Sequence, residues 1–133
     1  MTPIFADTFF FLAVINPDDR RHREAMDFSN SKQSPLLTTT WVLTEVMDGL
    51  AKTPNRHLGR QLYLDLLSDP AHTIVPPSRR QFEQGLDLYH ARADKKWSLT
   101  DCISFVVMQE YGVTEALTGD HHFAQAGFVP LLA

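Results

Sequence analysis

The sequence predicts an α/β fold, a central parallel sheet flanked by helices, and three observations carry that prediction. Short apolar, β-prone segments alternate with longer helical ones for most of the chain. The helix starts carry recognisable cap signals. The 133 residues suit one domain over 1–133, with no repeat, low-complexity tract or linker to divide them.

Taken in order, a first strand is expected over 3–6, ending at Asp7. The run Thr8–Ile15 is apolar nearly all round, beyond what one core face requires. Asn16-Pro17-Asp18-Asp19 reads as an N-cap, a proline at N1 and acids in the first turn, predicting a helix to about residue 30. A strand over 36–40 precedes two helices in a row, about 41–52 and 54–67, the second opened by Thr53-Pro54. After a strand over 72–75, Ser78-Arg79-Arg80-Gln81 and Ser98-Leu99-Thr100-Asp101 fit the capping-box pattern and open two further helices. Strands over 113–118 and 127–131 complete the sheet.

Composition narrows the function classes. Apolar residues make up 44% and charged residues 21%, which excludes a disordered or collagen-like chain. Twelve Lys+Arg against sixteen Asp+Glu leave a net charge of −4, which on its own argues against nucleic-acid binding. Cys102 is the only cysteine, so no internal disulfide forms and a reducing compartment is expected. The N-terminus lacks the basic region of a signal peptide, and uncharged stretches such as 33–44 are too short to span a bilayer. A soluble, cytoplasmic protein without membrane contact is the expectation.

Four acids fall in equivalent places. Asp7 follows the first strand and Asp120 follows the strand over 113–118. Glu45 and Asp101 lie in the first turns of helices. In a parallel α/β sheet these places share the edge where ligands bind, so the four side chains can converge in one crevice. Converging carboxylates repel in a partly buried pocket unless a cation is present. Mg²⁺ suits an all-oxygen set and keeps positions open for a phosphate, and a pair of such ions suits phosphodiester hydrolysis. One Cys and no spaced Cys/His pairs argue against zinc. Each acid also has an ordinary reading: Asp101 and Asp120 as helix caps, Glu45 as a solvated face residue. Asp7 is the least ordinary, because it interrupts apolar sequence.

Other residues read more plainly. Asp48 and Asp94 are expected at the surface, and Cys102 in the core. His121 and His122 are expected in surface or capping roles, with at most one facing the acids. Arg20-Arg21-His22-Arg23, Arg79-Arg80, Lys95-Lys96 and Arg56/Arg60 are solvated by default, and the candidates for phosphate contacts if RNA binds. Trp41 and Trp97 can stack on bases but are expected to pack. No Gly-rich phosphate loop points to an NTPase.

The series Asp7-Thr8, Thr44-Glu45-Val46, Ser98-Leu99-Thr100-Asp101-Cys102-Ile103-Ser104-Phe105 and Thr118-Gly119-Asp120-His121-His122-Phe123 resembles the PIN-domain family, above all its VapC-type bacterial toxins. The resemblance runs from 7 to 132 and is most specific over 97–128. It implies a single PIN-like domain that cleaves RNA as a metal-dependent endoribonuclease with a Mg²⁺ (or Mn²⁺) site. Asp7, Glu45, Asp101 and Asp120 match the family's acidic quartet as catalytic and metal-binding residues, with Thr8 and Ser98 as supporting hydroxyls. Phe9 departs from the polar residue the family often carries there. The implied partners are an RNA substrate, a small antitoxin protein and a second copy of the chain as a homodimer, part of the run Thr8–Ile15 serving as partner surface. The alternatives are a PIN-like RNA-processing nuclease without an antitoxin, and a catalytically silent RNA- or protein-binding module. Without the four acids the chain carries equal numbers of acids and bases, so the net charge no longer argues against nucleic acid.

Overall fold

A computed structural model describes residues 2–31 and 34–132. Its sheet has five strands: β1 (Ile4–Ala6), β2 (Leu36–Thr39), β3 (Thr73–Val75), β4 (Glu115–Leu117) and β5 (Val129–Pro130). All pairings are parallel, in the order β3-β2-β1-β4-β5. Among the described residues seven helices flank it: α1 (Thr8–Ile15), α2 (His22–Ser31), α3 (Thr40–Leu50), α4 (Leu58–Ser68), α5 (Arg79–Ala91), α6 (Leu99–Glu110) and α7 (His121–Gln125). The chain runs outward from β1 to β2 and β3, then returns through α5 and α6 to place β4 on the other side of β1. Strand order therefore reverses beside β1, and the edge outside the carboxyl ends of β1 and β4 is where ligands bind in such sheets. The register aligns Ala6 with Leu117, so the next residues, Asp7 and Thr118, emerge side by side.

Two expected helix starts are corrected. Asn16 closes α1 rather than opening α2: its N–H donates to the Leu12 carbonyl at 3.0 Å. Its backbone is extended, as the residue before a proline prefers. Residues 16–21 form a turn, and α2 begins only at His22. Thr53 likewise donates to Leu50 at the end of α3, and α4 begins at Leu58. Cap-plus-proline signals are local, and here the preceding helix uses the residues that the following one was expected to use.

The last two strands are shorter than expected because helix endings consume their flanks. Gly112 and Gly127 adopt positive φ of 68° and 96°. Around them the N–H of Val113 reaches Met108 and that of Phe128 reaches Phe123, closing α6 and α7 in left-handed caps.

The run Thr8–Ile15 buries Phe10, Phe11 and Ala13, and Phe9, Leu12, Val14 and Ile15 pack against the same core. Phe10, Phe11 and Ala13 thus meet part of its apolarity inside the chain, while Phe9, Leu12, Val14 and Ile15 stay partly exposed. The exposed large apolar side chains lie elsewhere, including Tyr63, Leu64 and Leu67 on α4.

An aromatic stack sets α6 against α7. Trp97 is buried edge-on to Phe105, with ring centroids 5.1 Å apart, and Phe105 meets Phe123 edge-on at 4.9 Å. Such pairs contribute about 0.5–1.5 kcal/mol beyond area burial. Trp97 also donates its indole N–H to Gln125 at 3.0 Å. Trp41 packs on Phe82. Cys102 is buried, and burial pushes its thiol up to about 11, so it stays a protonated core residue. No helix among the described residues is long and apolar enough to cross a membrane.

Candidate active site

The four acids reach that edge from four elements. Asp7 sits between β1 and α1, buried to 4% exposure. Its carboxylate does not cap α1; instead Thr118, the residue after β4, donates its hydroxyl to Asp7 Oδ2 at 3.1 Å. Thr118 is itself fully buried and accepts the Asp120 N–H at 3.0 Å, so one hydroxyl joins the two strand ends.

Glu45 projects from α3, whose start is set by Thr39: its hydroxyl accepts the Val42 N–H at 3.1 Å. Thr8, beside Asp7, donates its hydroxyl to Glu45 Oε1. That bond ties α1 to α3 and orients the carboxylate.

Asp101 combines a local role with a long-range one. The expected capping box is present: Asp101 N–H donates to Ser98 Oγ at 3.0 Å, and Ser98 N–H to Asp101 Oδ2 at 3.2 Å. Asp101 is nevertheless only 8% exposed, which a surface cap is not. Asp120 caps α7 by accepting the His122 N–H at 2.9 Å.

His122 is the residue whose part sequence reasoning understated. Its Nδ1 lies 3.1 Å from Asp101 Oδ2 and 3.3 Å from Asp120 Oδ1. Both partners are acceptors when ionised, so Nδ1 carries the proton and donates between them. His121 is largely exposed but also turns its Nδ1 to within 3.8 Å of Asp120 Oδ1, so both histidines border the acids where one at most was expected. The available signal was position: the second residue after a capping Asp folds back over its cap. Ligand atoms of Asp120, His121 and His122 all lie within 4.8 Å of one another, so imidazole nitrogen adjoins the carboxylates.

Burial and mutual charge shift two of the carboxylates. Burial raises Asp7 to about 7, opposed by the Thr8 N–H and the Thr118 hydroxyl and reinforced by the charges of Asp101 and Glu45. Burial also raises Asp101, with the Asp120 charge adding to it and the Ser98 N–H and His122 opposing. Asp48 is exposed, and Asp94 lies at the surface paired with Arg92 at 2.9 Å, so neither joins the cluster. A cluster of mutually repelling carboxylates, one of them held near neutrality by burial, fits a divalent cation of the oxygen-preferring class.

A parallel sheet with carboxylates gathered where its strand order reverses has the setting of an α/β ligand site, and the chain belongs to the PIN-domain family, whose model matches residues 4–129. It is homologous to the VapC endoribonuclease toxins. The 23S rRNA-specific endonuclease VapC20 of Mycobacterium tuberculosis is 30% identical over 129 residues, covering 95% of each chain. The crystal structure of that toxin, described as cleaving the sarcin-ricin loop, superposes with a TM-score of 0.87 over 96% of this chain and 98% of the other, at 26% identity. A toxin–antitoxin complex from Klebsiella pneumoniae shares the fold at a TM-score of 0.69 and 21% identity, each chain covered to 98%.

Proposed function

We propose that this protein is a Mg²⁺- or Mn²⁺-dependent endoribonuclease, the toxin of a toxin–antitoxin pair, built as one PIN domain over 1–133. The observation that carries the reading is the meeting of Asp7, Glu45, Asp101 and Asp120 at the reversal of strand order. Asp7 and Asp101 would ligate a divalent cation directly, Asp120 would complete a second ion or act through water, and Glu45 would ligate or orient the attacking water. Bound there, the cation would supply charge compensation and Lewis-acid activation of water.

The chain's own residues do the rest. Thr118 aims Asp7, and Ser98 and His122 hold Asp101 through N–H donors. Thr8 occupies one oxygen of Glu45, leaving the other to receive the proton of water attacking in line with the leaving oxygen. Hydrolysis in this sense leaves a 5′-phosphate and a 3′-hydroxyl. A small antitoxin protein and a second copy of the chain are the partners in this reading, and the cytoplasm is the compartment. The relative's description as a toxin supports the first of these.

The test is RNA cleavage with Mg²⁺ or Mn²⁺, beginning with the 23S rRNA for which VapC20 is named. Wild type is expected to cleave, EDTA to stop cleavage, and Asp101→Asn to slow it more than about a hundredfold. Cleavage that survives chelation, or an equally active Asp101→Asn, overturns the reading. Growth arrest on expression, relieved by a small co-expressed protein, tests the toxin role.

A further inference from the structure

Beside the carboxylates lies a second concavity, of about 390 Å³, lined by Phe9, Asp19, Arg20, Arg21 and Gly119. Its volume falls within the range of small-ligand pockets. It is continuous in sequence with the acidic site on two sides. Phe9 follows Thr8, which orients Glu45, and Gly119 sits between Thr118 and Asp120. Gly119 is glycine for a spatial reason: a Cβ there would stand 2.6 Å from the tip of the Phe9 ring.

The third wall is a turn with its polar groups bonded. Asn16 Oδ1 accepts the Asp18 N–H at 3.0 Å, and Asp19 Oδ1 accepts the Arg21 N–H at 2.8 Å. His22 Nδ1 meets the Ala13 carbonyl at 2.7 Å, pinning the end of the turn to α1. Most other arginines are already paired: Arg21 with Glu24, Arg79 with Glu83, Arg80 with Glu110, Arg92 with Asp94. Arg20 is exposed, makes no side-chain hydrogen bond or ion pair among the described residues, and lines this concavity. A half-buried aromatic ring beside an unpaired guanidinium is the pairing that single-stranded RNA uses, the ring for a base and the cation for a phosphate.

We propose that the concavity between Phe9, Gly119 and the turn bearing Arg20 seats the nucleotide adjacent to the scissile phosphate of the RNA, its base against the Phe9 ring and its phosphate on Arg20. This rests on the ribonuclease reading above and adds to it a substrate-positioning residue outside the metal site. It also gives Phe9, apolar where a polar residue was the family expectation, a role of its own.

Two measurements test it. In cleavage assays, Arg20→Gln is expected to raise KM about tenfold with kcat within twofold, and to flatten the salt dependence of RNA affinity by about 0.7 in log–log slope, one phosphate contact. Arg20→Lys recovers part of the KM, and Phe9→Leu, which keeps most of the packing against Gly119, raises KM as well. A KM unchanged in both Arg20→Gln and Phe9→Leu, or a fall in kcat alone, overturns the proposal. Separately, in EDTA, millimolar adenosine 5′-monophosphate is expected to shift the amide resonances of Phe9, Arg20 and Gly119 in wild type and not in Arg20→Gln. Shifts absent from wild type, or unaltered by Arg20→Gln, overturn it too. Because that arm needs neither metal nor cleavage, nucleotide binding without any RNA cleavage would sink the ribonuclease reading and reduce the proposal to a nucleotide-binding concavity, whereas cleavage without nucleotide binding would sink the subsite alone.

Discussion

The two halves of the carboxylate cluster hold the same residue type by different means. On the β1 side Asp7 is buried and meets a neutral hydroxyl, Thr118, and the Thr8 N–H. On the α6–α7 side Asp101 and Asp120 have helix-cap N–H donors and share an imidazole. Hydroxyl and amide dipoles offset only part of the desolvation of a buried carboxylate, so Asp7 is pushed to about 7. The first half therefore depends on an added cation to hold its charge, while the second places an imidazole N–H between its two carboxylates.

The largest expected effect breaks the Asp7 half. Its folded pKa of about 7 exceeds the unfolded value of 3.8, so the folded state binds the extra proton between those values. Metal-free stability should accordingly fall as pH rises from about 4 to 7. The full deficit, on the order of 4 kcal/mol, is present above that window. Asp7→Asn removes the penalty: denaturant titrations in EDTA at pH 8 should show the variant more stable than wild type, and at pH 4 nearly equal. With Mg²⁺ present the order at pH 8 should narrow or reverse, because only wild type gains from the ion.

The other half is sharpened by His122→Ala, which leaves the Asp101–Asp120 repulsion without its donor. Loss of about 10–100-fold in metal affinity or cleavage is expected, read by metal titration and by kcat/KM. A change under twofold would show the imidazole to be a bystander.

The smallest effect tests the joint between the halves. Thr118→Val keeps the volume but removes the hydroxyl that donates to Asp7 and accepts from Asp120. A cost of about 1–3 kcal/mol in unfolding free energy is expected, as for a buried hydrogen bond left half made. The Asp7 titration in EDTA, followed by NMR, should move upward because a stabilising donor is gone.

Legibility in the sequence varied with the range of the interaction. The Ser98–Asp101 capping box and the Asp120 cap were readable because their partners lie within three residues. The starts of α2 and α4 were misplaced for the complementary reason. A cap signal at Asn16 or Thr53 does not say whether the helix before or after it takes the residue; Asn16 bonds back to Leu12 of α1 and Thr53 to Leu50 of α3. His122 was undervalued because its partner Asp101 is 21 residues away.

The chain alone specified the α/β alternation, the four acids and their places at strand ends and helix starts, because periodicity and caps are local properties of the backbone. Only the tertiary structure decided that Thr118 meets Asp7 across 111 residues, and that His122 bridges two carboxylates. It likewise decided that Arg20 and Phe9 line one concavity. Those outcomes depend on strand order and register. A five-stranded sheet that reverses direction beside β1 brings distant residues to one edge, and no local signal encodes which edge neighbours they will find.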